Sequence, residues 1–151
     1  MNVGKLCQTN LVTVRPFDEL TAAAQLMREK HVGYLIVVEP AMQEGTMKPV
    51  GVLTDRDIVV GVIARDIDPR TLRVSDVMTR SPVVTAKSDT VQKAVQEMRR
   101  IGIRRIPVIG DRGELVGVLS LDEVIDALAV ELQDVAGSIR SEQIVERVLR
   151  P

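Results

Sequence analysis

Gly51-Val52-Leu53-Thr54-Asp55-Arg56-Asp57 reads as the end of a strand, a sharp junction and the start of a helix. Residues 49–53 are mostly apolar and β-branched, and the glycine among them lets backbone or ligand approach closely. A hydroxyl at Thr54 with an acid three residues on, Asp57, is a helix start signal. Ile58, Val59, Val62 and Ile63 then fall on one face of a 3.6-residue period. The same junction is written again at Gly117-Val118-Leu119-Ser120-Leu121-Asp122-Glu123, followed by Val124, Ile125 and Leu128. Two copies of one strand-to-helix junction in 151 residues mean a duplicated unit.

Subtraction aligns the copies. Leu20 falls on Val91, Ala23 on Ala94, Met27 on Met98 and Val37 on Val108, all at an offset of 71. Beyond the next loop Gly51 falls on Gly117, Leu53 on Leu119 and Thr54 on Ser120, at an offset of 66. The difference places five extra residues in the first copy's loop, within 41–48. Each copy reads strand, helix, strand, strand, helix.

In the first copy, 11–14 is a strand and Asp18 caps a helix that ends near His31-Val32-Gly33. Residues 34–38 form a buried strand, and the opening motif supplies a third strand and a helix to about Ala64. A linker with Pro69 follows, and 74–78 is a short helical turn. In the second copy, 83–85 is a strand, and Asp89 caps a helix with Gln92 in the capping-box position. Strands at 106–109 and 114–119 and a helix from Leu121 to about Val135 complete it. Gly137 is expected to stop that helix. Ile144, Val145, Val148 and Leu149 mark one stripe on a further short helix, marginal alone, that docks on its own chain or on a partner. The organisation is thus a first repeat at 7–67, a linker at 68–80, a second repeat at 81–135 and a helical tail at 136–151. The fold class is α+β: tandem βαββα repeats related by a pseudo-two-fold. Each unit, at about 60 residues, is too small for a secure core alone, so the sheets pack together and leave two equivalent clefts.

Composition narrows the function. The chain is 45% apolar, enough for a real core, and almost all of that is aliphatic. Phe17 and Tyr34 are the only aromatics, so a base-stacking nucleic-acid platform is disfavoured. A net charge of −1 gives no general attraction for polyanions. Cys7 is the single cysteine, which excludes an internal disulfide and suits a reducing compartment. The first ten residues lack an apolar signal core, and the longest apolar run, 34–38, is far too short to span a bilayer. The expectation is a cytoplasmic protein without membrane segments. No set of residues suggests a nucleophile, a general base or a metal site, so an enzyme is not expected. Cys7 has no histidine or acid motif beside it, and lone His31 reads as a helix-end or solvent residue. Met27 and Met98, at matched helical positions, read as core.

The doubled order of elements, the junctions GVLTDRD and GVLSLDE, the linker VSDVMT and the strand RRIPV together resemble a cystathionine-β-synthase (CBS) domain pair, or Bateman module. The resemblance covers about residues 7–135. It implies a regulatory, signal-transducing role. Such pairs hold adenine nucleotides or related adenosyl ligands (AMP, ATP, NAD or S-adenosylmethionine, with magnesium for a triphosphate) between the repeats. They commonly pair again as a homodimer and act on another protein. The resemblance also implies ligand-binding residues: Thr54, Asp57 for the ribose, Val83 and Ile103 for the base, and Arg104 and Arg105 for the phosphate. The other cleft, with Ser120, Glu123, Gly33 and Tyr34, is expected to be the weaker. Asp122, where some relatives place a basic residue, is a modulator that disfavours several unscreened phosphates. Both Thr54-x-x-Asp57 and Ser120-x-x-Glu123 are also capping boxes, and a ligand-free dimerisation scaffold is the competing reading.

Overall fold

The computed structural model describes residues 1–150. Pro151, the end of the expected tail, lies outside the described residues. A one-turn helix α1 (Val3–Leu6) precedes β1 (Thr13–Val14), α2 (Leu20–Lys30), β2 (Tyr34–Pro40), β3 (Met47–Thr54) and α3 (Asp55–Gly61). After two 3₁₀ turns come α4 (Val74–Val77), β4 (Thr79–Arg80), β5 (Thr85–Ala86), α5 (Val91–Ile101), β6 (Arg105–Ile109), β7 (Leu115–Ser120) and α6 (Leu121–Leu149). The sheets are β1-β2-β3-β4 and β5-β6-β7. In each, the short first strand runs parallel to the second, and the second and third are antiparallel. The duplicated βαββα order is therefore present.

Several local expectations change. Asp18 does not cap α2: its carboxylate accepts from the Arg15 N–H at 2.8 Å, and Glu19 takes the N-cap position. Asp89 likewise accepts from the Ala86 N–H and the Thr85 hydroxyl, while Thr90 caps α5 through the Lys93 N–H, and Gln92 closes no box. In both places the acid ties down the turn before the helix, and the next residue starts it. Helix α3 ends at Gly61 and passes into a 3₁₀ turn at Ile63–Arg65, short of Ala64 as an α-helix. Gly137 does not stop α6, which runs unbroken for 29 residues. One glycine costs about 1 kcal/mol in a helix. The helix formers on either side of it outweigh that penalty.

Each repeat completes its core with a short helix that precedes the other repeat in sequence. Val3 is fully buried in the second repeat, beside Val91, Met98, Ile106 and Leu119. Its N–H donates to Asp89 O and that of Gly4 to Lys87 O, while Gln8 and Val118 exchange two backbone hydrogen bonds of 2.9 Å. At an offset of 71, Val74 does the same for the first repeat, buried beside Leu20, Met27, Leu35 and Leu53, and β4 pairs with β3 where Gln8 pairs with Val118. Glycines make room for both straps: a Cβ at Gly51 would meet Met78 Sδ at 2.7 Å, and one at Gly117 would meet Cys7 Sγ at 2.7 Å.

Burial splits the apolar faces read from sequence. Val62 and Val124 are in the cores, whereas Val59, Val60 and Ile63 of the first repeat and Ile125 and Leu128 of the second face solvent.

Candidate functional site

The two junctions are built alike. Ser120 ends β7, and its side chain accepts from the Glu123 N–H at 3.4 Å. Glu123 reaches back to accept from the Ser120 N–H at 2.7 Å. Thr54 and Asp57 form the same reciprocal box, at 3.1 and 2.9 Å. In each box one carboxylate oxygen is held by the N-cap amide, which leaves the other as an acceptor.

They differ in the first turn. At α6 the Leu121 N–H donates to Arg104 O and the Glu123 N–H is capped. Among the described residues the Asp122 N–H has no partner, so one positive-end donor stays open. At α3 every corresponding donor is used. The Asp55 N–H donates to Gly33 O, the Asp57 N–H is capped, and the Arg56 N–H donates to the Asp55 carboxylate at 2.8 Å. That carboxylate also packs against Gly33, where a Cβ would come within 2.5 Å of it. Asp55 thus acts as a built-in anion at the first junction, while its counterpart at the second is Leu121.

A cavity of about 300 Å³ opens at the second junction. That is at the lower end of the range for small-ligand pockets. One wall is apolar, from Leu11, Val12, Val32, Ile36 and Val118. The polar lining is Ser120, Asp122 and Glu123 from the second repeat, His31, Gly33 and Tyr34 from the first, and Gln8 and Asn10 from the N-terminal segment. Arg105 lies between them, its guanidinium carbon 5.7 Å from the centroid of the Tyr34 ring. Tyr34 and Arg105 hold corresponding places in the two repeats, 71 apart, and so meet at the pseudo-two-fold. Burial pushes the Tyr34 hydroxyl far above its ordinary range, with the Arg105 charge opposing more weakly, so the phenol is neutral at physiological pH. The Asp122 carboxylate is 3.3 Å from Arg104.

Of the six residues expected around one cleft, Arg105 alone lines this cavity. Arg104 leans onto α6 of its own repeat, toward Asp122. Thr54 sits opposite Tyr34 in the β2–β3 register. Val83 and Ile103 pack against the second repeat's core. Asp57 lines a separate cavity of about 400 Å³ with Arg56, Arg65, Leu72 and Asp76. The four residues expected to form the weaker site, Ser120, Glu123, Gly33 and Tyr34, all line the 300 Å³ cavity together with Asp122. Sequence reasoning missed Gln8, His31 and the apolar wall. It also missed Asp55, whose signal was an acid at the first helical position, able to satisfy the helix terminus from within the chain.

The model of the CBS domain matches the chain twice, over residues 3–63 and 74–130. The chain belongs to the CBS-domain family. Among curated relatives, this CBS pair is similar to the CBS domain-containing protein YhcV of Bacillus subtilis (strain 168), at 36% identity over 116 residues, 77% of each chain. It is also similar to protein MK0525 of Methanopyrus kandleri, at 29% identity over 126 residues. That match takes in 83% of this chain but only 61% of the Methanopyrus protein. Among solved structures, a hexameric CBS-CP12 protein from bloom-forming cyanobacteria superposes with a TM-score of 0.72 at 27% identity, covering 99% of this chain and 88% of that one. The CBS domain pair of protein MJ0100, in complex with 5-methylthioadenosine and S-adenosyl-L-methionine, superposes with a TM-score of 0.73 over 87% of this chain and 98% of that one. At 19% identity that last likeness is one of fold. No helix among the described residues is long and apolar enough to cross a membrane.

Proposed function

We propose that the chain is a non-catalytic regulatory module. It binds an adenosine-containing ligand in the Ser120 cleft and relays occupancy to a partner protein. One observation carries this reading: an apolar wall, an open main-chain donor at Asp122, a half-free carboxylate at Glu123 and an unpaired Arg105 converge on one cavity. The wall takes the base, Glu123 accepts from the ribose hydroxyls, and Arg105 with the α6 N-terminus takes an oxyanion. The MJ0100 pair shows that the fold can hold such compounds.

The charges favour a ligand of modest negative charge. Arg104 and Asp122 offset each other, and Glu123 faces the same cavity as Arg105. AMP and NAD therefore rank ahead of bare ATP, which needs magnesium to screen it, and S-adenosylmethionine, whose net charge is positive, suits the Asp122 and Glu123 carboxylates. The Thr54 junction, with Asp57, Val83, Ile103 and Arg104, is proposed as the weaker site because Asp55 occupies its amide. Two copies are proposed to pair through the exposed aliphatics Val59 and Val60 of α3 and Ile125 and Leu128 of α6. The lone, unpaired Cys7 suits a reducing cytoplasm.

The test is a thermal-shift series over AMP, ATP, NAD and S-adenosylmethionine, with and without magnesium. A ligand at a hundred times its Kd raises stability by about 2.7 kcal/mol. We expect Glu123→Ala to abolish the shift, Arg105→Ala to shrink it and Asp57→Ala to retain it. Flat melting curves with every compound would leave the ligand-free scaffold as the surviving function.

A further inference from the structure

Arg105 is unusual among the arginines near the cavity. Arg104 is tied to Asp122, but among the described residues no donor of Arg105 reaches an acceptor. Its guanidinium lies over the Tyr34 ring, at the distance of a cation–π contact. A stacked guanidinium uses its face for the ring and keeps its N–H edges free. Stacking also limits rotamer freedom, so less is lost when those edges meet a ligand. Tyr34 itself is held at the first position of β2, opposite Thr54, and its Arg105 contact crosses from one repeat to the other.

We propose that Tyr34 is a positioning residue that sets the cleft's preference for an adenosyl ligand carrying one oxyanion, by holding the Arg105 guanidinium over its ring with the donors left to the cavity. This rests on the adenosyl reading of the cleft and adds the specificity that the reading leaves open. The oxyanion is a phosphate or a carboxylate, since both fit the planar fork. Tyrosine here replaces a second arginine at the matched place in the first repeat. The pseudo-two-fold therefore carries one charge and one ring to support it, where two arginines would repel.

The experiment compares affinities by calorimetry for two probe pairs, each differing in the oxyanion. AMP against adenosine tests phosphate, and S-adenosylmethionine against its decarboxylated form tests carboxylate. Wild type is expected to prefer the oxyanion member of at least one pair by roughly tenfold or more. Tyr34→Leu lowers that preference about two- to fivefold and leaves the member without the oxyanion unchanged. Tyr34→Phe, which keeps the ring face, retains it. Arg105→Gln removes the preference, and adding Tyr34→Leu then changes nothing further. Melting curves establish that each variant is folded. Tyr34 is the only tyrosine and there is no tryptophan, so wild-type emission reports this ring alone. It should respond to AMP, and respond less in Arg105→Gln. If Tyr34→Phe and Tyr34→Leu shift the preference equally, or neither does while the member without the oxyanion still binds, the positioning role is wrong. If wild type binds neither member of either pair, the adenosyl reading falls with it.

Discussion

Replacing Gly117 by alanine should loosen the whole N-terminal strap. The added Cβ would lie 2.7 Å from Cys7 Sγ and 2.8 Å from the carbonyl oxygen of Gln8. Gln8 O is backbone, so a rotamer change cannot relieve the contact. The strap must move off β7. That weakens the two backbone hydrogen bonds between Gln8 and Val118, at about 1 kcal/mol each. Overpacking a buried site costs about 1–3 kcal/mol by itself. The expected loss is about 2–4 kcal/mol, which lowers the Tm of a chain this size by roughly 5–15 °C. Thermal melts and urea titrations measure it. Removing the sulfur as well, in Cys7→Ala/Gly117→Ala, should recover only part, because the carbonyl contact stays. Since Gln8 also lines the 300 Å³ cavity, any ligand-induced rise in Tm should shrink in parallel. Wild-type melting of Gly117→Ala would refute the reasoning, for it would mean that α1 is not seated on β7.

The other predictions concern single groups. Gly137→Ala should raise stability by about 1 kcal/mol, seen as a higher Tm, because the position is helical and a Cβ meets nothing within 4 Å. Burial pushes the Cys7 thiol above its ordinary range, a backbone hydrogen bond opposes it in part, and the Glu123 carboxylate adds a smaller upward push. Alkylation of Cys7 by iodoacetamide at neutral pH should therefore be slower than that of a free thiol, with a pH–rate midpoint moved upward, and Glu123→Gln should move it partway back. The Lys93 ammonium, with the Ala86 N–H and the Thr85 hydroxyl, holds the Asp89 carboxyl below the usual carboxylate range. A depressed folded pKa means that the contribution is complete above the unfolded value of about 3.9 and is lost as pH falls through the folded one. The Tm gap between wild type and Asp89→Asn should thus be widest near neutrality and close in acid.

The duplication was legible because a matched offset on both sides of one loop leaves few alternatives. The strands and helices followed from it, since their apolar periods are strong. Cap positions were less legible: Asp18-Glu19 and Asp89-Thr90 each offer adjacent polar residues, and only the turn geometry decides which one faces the helix. The strap was hidden for another reason. Val3, Cys7 and Gln8 lie 71 before Val74, Met78 and Thr79, but a four-residue helix has no period to detect. Its partner strands are more than 80 residues away in sequence, and only packing reveals them.

The proposed ranking of the two clefts rests on geometry that a residue inventory does not contain. Counting cations near each junction favours Thr54, because Arg104 and Arg105 are assigned to it across the interface. The structure turns Arg104 back to Asp122 of its own repeat and stacks Arg105 on Tyr34 beside the Ser120 cavity. The decisive difference is at the first helical position. The Asp55 carboxylate accepts from the Arg56 N–H, so the α3 terminus is satisfied before any ligand arrives. Leu121 offers no side-chain acceptor, and among the described residues the Asp122 N–H stays open at the head of a 29-residue helix. A helix terminus recruits an external anion only when the chain has not already supplied one. Two junctions with the same capping box can therefore diverge into a closed cap and an open terminus through the residue at the first helical position. A family motif that matches both equally well carries no information about which is which.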